Sequence, residues 1–438
     1  MKGQFFALTD ALCGELKGDE ALVCNLSAER SDFVRFNHAL VRQAGTVEQR
    51  YLSIRLIGAR RQASANIALA GSADDFDRAR ATLVRLRDML THLPEDPWLL
   101  VADTPSSTSS ERRGQFPPAE EVVQHVTATA KGLDFVGFYA GGTLYRGFAN
   151  SYGQRNWHEV DTFNFDWSLH LRADKAVKEG YAGFDWDAAV LDTKLRDAAE
   201  RLQLLDRPPV SLKPGEYRAY LAPRALEEVT GLLQWGAFSA RSRATRQTPL
   251  LRMQHGEPLS SKVTLTENTE GGIAPTFQQD GFVRPPQVSL IAGGRLGESL
   301  VSPRSAKEYG LAPNGANDRE SPESLDLAPG DLAMADVLAQ LDTGLYVGNL
   351  WYLNFSDRPA GRMTGMTRFA TFWVEGGRIA GPVTPLRFDD TIYRMLGDQL
   401  VDFTRERELL PSTSTYDERS TGSTRLPGAL LRSMRFTL

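Results

Sequence analysis

The sequence predicts an α+β protein with an N-terminal α+β domain, residues 1–207, and a strand-rich C-terminal domain, residues 208–438. Three observations lead to this prediction. Helical and strand-like segments both occur in the first half of the chain. Pro208-Pro209 and Lys213-Pro214-Gly215 then interrupt it, as is typical of a domain boundary. After one further helix, strand-like segments dominate.

Hydrophobic periodicity gives the elements of the first half. Apolar residues at helical spacing predict helices, and alternation of apolar and polar residues predicts strands. The predicted elements up to residue 90 are a helix at 2–17, strands at 20–26 and 32–36, a strand pair at 46–56 and 61–69, and a helix at 73–90 capped by Ser72. Further on they are a helix at 118–131, a hairpin over 133–150 turning at Gly141-Gly142, a strand at 162–173 and a helix at 187–205.

The second half is predicted to contain mostly strands and hairpins. Pairs of glycines between strand-like segments are typical of tight hairpin turns. The predicted elements are a strand at 217–222, a helix at 224–238, a hairpin at 288–301 and a second hairpin at 369–383. Two long polar segments, residues 311–331 and 410–428, are predicted to be functional or mobile loops.

Composition excludes several classes of partner. The net charge is -5 and the pI about 5.8, so no global positive field favours nucleic acid. No stretch approaches the roughly 20 apolar residues that a membrane-spanning helix needs. The two cysteines, Cys13 and Cys24, form neither a disulfide framework nor a zinc pattern, and we expect small buried hydrophobes. These observations predict a cytoplasmic protein without nucleic-acid or membrane partners.

A series of glycine-containing segments, in a fixed order from about residue 20 to residue 400, resembles the TldD/TldE (PmbA) family. Each segment alone is weak, and their order and spacing make the match specific. The segments are Asn150-Ser151-Tyr152-Gly153, Gly215-Glu216-Tyr217 with Pro223, Asp280-Gly281, Ser305-Ala306-Lys307 with Tyr309-Gly310, Gly344-Leu345-Tyr346-Val347, and the hairpin from Phe372 to Val383.

The resemblance implies a cytoplasmic peptidase-family fold that works as a dimer, with a barrel-like C-terminal domain built on a mixed sheet. In catalytic members, it also implies an HExxxH motif on a helix. The two histidines and a later cysteine hold zinc there, and the glutamate serves as base. Imidazole and thiolate ligands suit Zn²⁺, which lowers the pKa of a bound water. This spacing separates the histidines by about 140° on a regular helix, so the catalytic helix must be distorted.

This chain departs from that motif in the matching helix. Glu228 aligns with the catalytic glutamate and Gly231 with the family's glycine, whereas Glu227 and Leu232 replace the two histidines. Both cysteines lie in the first 24 residues, so the third ligand is missing as well. We therefore predict a vestigial active-site helix with no metal or other cofactor in this chain. Zinc is expected in a TldD-like partner.

Four further residues are candidates for contact with a peptide or a partner. Arg241, Arg243 and Arg246 follow the predicted helix closely and could bind a peptide carboxylate or an acidic surface. His255 lies in a predicted loop and could contact a ligand. A plain solvated surface remains the alternative for all four residues.

Three functions follow from the sequence. The first is a TldE/PmbA-like non-catalytic subunit that pairs with a zinc-bearing TldD-like subunit and helps to bind and degrade or process unfolded peptides. The second is a stand-alone homodimeric metallopeptidase with unidentified ligands. The third is a homodimeric peptide-binding scaffold without catalysis.

Overall fold

The computed structural model of the chain describes residues 1–172 and 175–437. About 43% of the residues are in strands and about 23% in helices, and the strands form two separate sheets. The α+β class predicted from the sequence is therefore confirmed. No helix among the described residues is long and apolar enough to cross a lipid bilayer.

The first half of the chain forms a sheet that has seven strands over the described residues, with the order β3-β2-β1-β5-β6-β4 and β7 also paired to β6. These strands are β1 (Ala21–Asn37), β2 (Leu40–Gly58), β3 (Arg61–Ala68), β4 (Ser109–Arg112), β5 (Asp134–Asn150), β6 (Arg155–Arg172) and β7 (Lys175–Gly183). The helices of this half are α1 (Lys2–Cys13), α2 (Asp74–Leu90), α3 (Ala119–Thr129) and α4 (Ala188–Leu204).

One face of the β1–β2–β3 region is covered by α1 and α2. Alternate residues of β1 and β2, among them Leu22, Leu26 and Leu52, point to this face and are fully or almost fully buried. In α2, Leu83 and Leu86 recur at helical spacing and pack into the same apolar cluster. The opposite face of the same strands is left for polar side chains.

Three local predictions in this half were wrong. β1 is one continuous strand, not two, because its polar middle is paired on both sides by β2 and β5. Gly141 and Gly142 lie inside the single strand β5, and the chain turns only after it, at residues 151–153. The N-cap of α2 is Ala73 rather than Ser72, and no side chain caps this end of the helix; the Asp75 carboxylate accepts the N–H groups of Ala70 and Gly71, which precede it.

The second half forms a mixed sheet with eleven strands over the described residues. These strands are β8 (Gly215–Leu221), β9 (Leu265–Asn268), β10 (Gln287–Ala292), β11 (Arg295–Leu296), β12 (Ser324–Leu327), β13 (Gly344–Asp357), β14 (Arg362–Glu375), β15 (Arg378–Pro382), β16 (Arg387–Thr391), β17 (Leu400–Pro411) and β18 (Ser423–Phe436). The helices are α5 (Pro223–Leu233), α6 (Ala240–Ala244), α7 (Leu251–Gln254), α8 (Pro303–Tyr309) and α9 (Val337–Leu341), with a 3₁₀ turn at Met334–Asp336 and a π turn at Arg394–Asp398.

Five strands of this sheet close into a ring, in the order β8, β13, β14, β16, β18 and back to β8. The closure depends on β18, which pairs antiparallel with both β8 and β16. β8 and β13 are parallel, whereas β13 and β14 are antiparallel, so the ring is mixed. The predicted barrel-like architecture with a mixed sheet is confirmed.

Both predicted hairpins of the second half are present, β10–β11 across Gly293-Gly294 and β14–β15 across Gly376-Gly377. The two predicted long loops are shorter, because 311–331 contains β12 and 410–428 includes parts of β17 and β18. The first sheet ends at Gly183 and the second begins at Gly215, so the predicted boundary near residue 208 lies between them. The division into domains 1–207 and 208–438 stays a prediction.

The other predicted helices and strands are present, with ends that differ by up to six residues. The predicted strand at 162–173 is the second part of β6, which begins earlier, at Arg155. The last residue of that prediction, Ala173, lies outside the described residues.

Candidate functional site

Helix α5 carries the residues that match the family's active-site motif. Pro223 is its first residue, where the fixed φ of proline suits a helix and no N–H is needed. The backbone N–H of Ala222 donates to the carbonyl oxygen of Val347 at 3.0 Å. This bond fixes the start of α5 beside β13 of the strand ring.

One face of α5 is buried in the core of the second half. The buried residues on it recur at intervals of three and four, as expected for an amphipathic helix: Ala225, Leu226, Val229, Leu232 and Leu233. Leu232 is only 4% exposed and packs in the main apolar cluster of this half. The position that matches the family's second histidine is therefore part of the hydrophobic core.

Glu227 and Glu228 lie away from the centre of that core. Glu227 is partly buried and Glu228 is exposed. Residues five positions apart on a regular helix differ in direction by about 140°, and α5 is α-helical from Pro223 to Leu233. Glu227 and Leu232 therefore face different surroundings, so this helix lacks the distortion that the catalytic motif requires.

Gly231 occupies the remaining motif position without a local packing reason. A Cβ atom added there would meet no other atom within 4 Å beyond the helix's own neighbouring backbone. Its φ is not in the left-handed region either. Glycine lowers helix stability at such a position, so its presence here is unexplained by the fold of this chain alone.

The surroundings of Glu227 connect the two halves of the chain. Arg224, one turn earlier on α5, lies with Nη1 at 3.1 Å from Oδ1 of Asp166 on β6. Burial raises the pKa of Glu227 to about 7, and the charges of Glu228 and Asp166 add to this while Arg224 opposes it. Partial burial also raises the pKa of Glu228, against the charge of Lys178. Near neutral pH, Glu227 is thus part protonated and can donate as well as accept a proton.

A cavity of about 390 Å³ opens at the start of α5, between β7 and α4 on one side and the strand ring on the other. Charged side chains of both signs line it. Glu179 lies 2.6 Å from Arg201 and 3.7 Å from Lys194, and Lys194 lies 3.4 Å from Glu408. Tyr346 adds a phenol whose pKa burial raises. Because the charges compensate each other, the cavity has no strong preference for an anion or a cation.

The structure separates the other four candidate residues from the Glu227 surroundings. Arg243 donates to the carbonyl oxygens of Gly297 and Glu298 at 2.9 and 2.8 Å, so it holds the loop after β11. Burial lowers its pKa to about 10. Arg241, Arg246 and His255 are exposed on or near the short helices α6 and α7. Their role in peptide or partner contact stays a prediction.

Sequence reasoning missed the residues from the first half that face α5. Asp166 on β6, together with Lys178 and Glu179 on β7, surrounds the start of the helix. One signal was present, because the alternation in β6 leaves a polar face with Asn164 and Asp166 on a strand that is otherwise largely buried. The contact between this face of β6 and helix α5 joins two distant segments, so the sequence of either segment alone does not predict it.

The residues present do not fit a catalytic zinc site. Glu227 and Glu228 are adjacent carboxylates on α5, Leu232 has no donor atom, and no cysteine occurs after Cys24. Within residues 1–172 and 175–437, no group of three or more His, Cys, Asp or Glu side chains could hold a metal ion. A catalytic zinc needs about three protein ligands and an open position. The prediction that this chain carries no cofactor stays a prediction.

The strand ring with α5 beside it defines a class of protein, the metallopeptidase-related fold of the PmbA/TldD type. The sequence profile described as PmbA/TldA metallopeptidase C-terminal domain matches residues 214–438, which is just over half of the chain. The chain therefore belongs to the PmbA/TldD family, and the resemblance seen in its glycine-containing segments is confirmed.

Solved structures show the same fold over the whole chain. TldE from Thermococcus kodakarensis has a TM-score of 0.80 and 16% identity, with 98% of this chain and 100% of that chain covered. A proposed modulator of a DNA gyrase from Thermotoga maritima has a TM-score of 0.78 and 13% identity, with both chains fully covered. A similar protein from Bacteroides thetaiotaomicron has a TM-score of 0.79 and 15% identity, covering 100% and 98%. No curated protein sequence matches the chain significantly.

Proposed function

We propose that this chain is the non-catalytic, TldE/PmbA-like subunit of a TldD/TldE-type metallopeptidase complex that binds unfolded peptides and helps to degrade or process them. The observation that carries the proposal is the state of α5. Leu232 stands at a ligand position and is buried in the core, while Glu227 stands at the other and faces Arg224 and Asp166. The zinc and the catalytic base would then belong to the partner subunit.

A free sheet edge supports the peptide-binding part of the proposal. β2 pairs with β1 along almost its whole length, whereas β3 covers its other edge only from Tyr51 to Gly58. Residues 40–49 therefore present backbone N–H and C=O groups without a strand partner among the described residues, since the carbonyl oxygen of Arg50 already accepts from the N–H of Leu69. An extended peptide can add to such an edge and be read mainly through its backbone.

The chemistry near α5 supports a structural role for this helix. The Arg224–Asp166 pair links α5 to β6, and the Lys194–Glu408 pair links α4 to β17 across the adjacent cavity. Such contacts across the two halves would hold this chain as a rigid wall beside a partner's active site. We also propose a cytoplasmic location, which the two free thiols, Cys13 and Cys24, support.

The test is a pull-down of the tagged chain from its native organism, with mass spectrometry of the proteins that co-purify and metal analysis of the product. Recovery of an HExxxH-bearing relative in near-equal amount, with zinc bound to that relative, is the expected result. A homomer with one zinc per chain and peptidase activity would overturn the proposal in favour of a stand-alone metallopeptidase. A metal-free homomer that binds peptides without cleavage would overturn it in favour of a scaffold.

A variant sharpens the same test. In the purified complex, Glu228→Gln is expected to leave kcat for an unfolded peptide unchanged, because the reacting atoms lie in the other subunit. A loss of kcat by orders of magnitude would show that Glu228 acts as a base and would refute the non-catalytic assignment.

A further inference from the structure

A second cavity, far larger than the one beside α5, lies on the polar face of the β1–β2–β3 region. It measures about 1110 Å³. Its floor is the first sheet, and its walls are three segments of the second half, residues 275–284, 317–323 and 417–421. We call it the polar cleft. Ligand sites often lie between two such structural units.

The floor of the polar cleft is built from amide and hydroxyl side chains in register. Asn25 on β1 lies opposite Ser53 on β2, which lies opposite Asn66 on β3. Because paired residues point to the same face of a sheet, these three form a row across the floor. Ser64, two residues from Asn66, points the same way. The floor therefore offers both hydrogen-bond donors and acceptors along three strands.

Contacts between the floor and the walls hold the polar cleft open. Arg55 on β2 pairs with Asp280 of the wall, and Asn25 donates to the carbonyl oxygen of Gln279 at 3.0 Å. On β5, Arg146 lies 3.4 Å from Glu418. These contacts span more than 200 positions in the sequence, so the cleft exists before any ligand binds. A preformed site binds without the cost of ordering its walls.

The charges that remain are negative. The arginines of the lining are all neutralised, since Arg284 also pairs with Glu323 at 2.5 Å. Asp318 and Asp417 line the same space, and no Lys, Arg or His side chain in the described parts of the chain lies within ion-pair distance of either. Burial and the nearby Asp280 raise the pKa of Asp318, while a hydrogen bond from Gln279 and the more distant charges of Arg55 and Arg304 oppose this rise.

Three hydrogen-bonding side chains of the floor are also free. Over residues 1–172 and 175–437, the side chains of Ser53, Ser64 and Asn66 make no hydrogen bond to the protein, and Tyr51 is 41% exposed beside them. A ligand that matches this surface carries a positive charge for the two aspartates. It also carries alternating donors and acceptors for the floor, and an apolar portion for the tyrosine ring.

We propose that the polar cleft binds a short extended peptide through a lysine or arginine side chain of that peptide. Peptide backbone supplies donors and acceptors in alternation, and the ammonium or guanidinium group meets Asp318 and Asp417. The volume accommodates several residues, since drug-sized ligands fill pockets of about 300–1000 Å³. The choice of a peptide rests on the proposed function, whereas the cleft and its charge do not. A polyamine carries the same kind of positive charge as the lysine side chain, so the test below distinguishes the two ligands.

The test is isothermal titration of the purified full-length chain with three N-acetylated seven-residue peptides. All three are Gly/Ser sequences in which the same two positions are both lysine, both norleucine or both glutamate. Spermidine is titrated separately. The variants are Asp318→Asn, Asp417→Asn and Asn66→Ala. Asp19→Asn is the matched control, because Asp19 is exposed and does not line the cleft. Circular dichroism melts verify that each variant folds.

The lysine peptide is expected to bind, the norleucine peptide more weakly and the glutamate peptide not measurably. Asp318→Asn should weaken the lysine peptide about tenfold, as the loss of one charge-assisted hydrogen bond predicts, and Asp19→Asn should leave it unchanged. Equal binding of all three peptides, or no effect of any cleft variant, would overturn the proposal. Binding of spermidine alone would replace the peptide by a polyamine.

Failure of the cleft and failure of the subunit assignment are distinguishable. The titration uses the isolated chain and needs no zinc-bearing partner. Binding of the lysine peptide to a chain that recovers no HExxxH relative would support the cleft and refute the subunit role. Recovery of that relative, together with no measurable binding of the lysine peptide, would support the subunit role and refute the peptide site in the cleft.

Discussion

Replacing Glu227 by glutamine is expected to make the protein more stable at alkaline pH. Burial raises the pKa of Glu227 from 4.5 to about 7 in the folded chain. A raised pKa means that the folded state binds this proton more tightly than the unfolded state does. The stabilisation is complete below about pH 4.5 and is lost as the pH rises through 7. Glutamine keeps the shape of the protonated carboxyl and has no such loss.

The size of the effect follows from the two pKa values. Their difference is about 2.5, and one pKa unit corresponds to about 1.4 kcal/mol. Between pH 5 and pH 8.5 the native protein should therefore lose at most about 2.5 kcal/mol of unfolding free energy relative to Glu227→Gln. Glu227 is only partly buried, so water reduces this penalty, and we expect about 1–2 kcal/mol.

The assay is urea unfolding at pH 5, 7 and 8.5, with the free energy of unfolding extrapolated to water for both proteins. Subtracting the two curves cancels every other titrating group, including Glu267, whose pKa burial also raises to about 7. Glu228→Gln is the control on the same helix, because Glu228 is exposed and should give a smaller difference. Parallel curves for the native protein and Glu227→Gln would refute the account of the buried carboxyl.

Four further predictions concern stability, each read from urea unfolding. Gly231→Ala should stabilise by about 0.5–1 kcal/mol, because the site is open and helical. Gly180→Ala should destabilise, because its Cβ would displace the Arg224 guanidinium from its ion pair with Asp166. Leu232→His should cost about 2–4 kcal/mol without conferring zinc binding in a metal assay, since it puts an imidazole into the core. Arg419→Met should cost about 1–3 kcal/mol, because this buried guanidinium holds groups of three strands.

Those parts of the fold that rest on local pattern could be predicted from the sequence. The hairpins at Gly293-Gly294 and Gly376-Gly377 turn where the glycines stand, and all four of these glycines have positive φ. Gly141-Gly142 carries the same local signal and was misread. A Cβ on Gly142 would collide with the carbonyl oxygen of Arg30 in the neighbouring strand, so this glycine permits close strand pairing instead of a turn. The pattern alone does not distinguish the two uses.

The candidate site likewise has features that the sequence predicts and features that only the structure shows. Helix α5 and the loss of both histidines are properties of one continuous segment, so alignment to the family motif was enough to find them. The raised pKa of Glu227 depends on Asp166 and on burial by other elements, and the polar cleft depends on walls from residues 275–421. Contacts over such separations follow from tertiary packing, which single-sequence periodicity does not encode.

The closed strand ring has a consequence for the order in which the protein is made. β8 enters the ring near residue 215, but its neighbour β18 begins only at Ser423. During synthesis the first sheet can form from strands that emerge one after another, while the ring stays open until some 200 further residues have left the ribosome. Its unpaired strands are exposed throughout that interval, which makes them targets for chaperones and for aggregation. The slow step of folding should thus be the docking of β18, and mutations in that strand should lower the yield of native protein more than their effect on final stability implies.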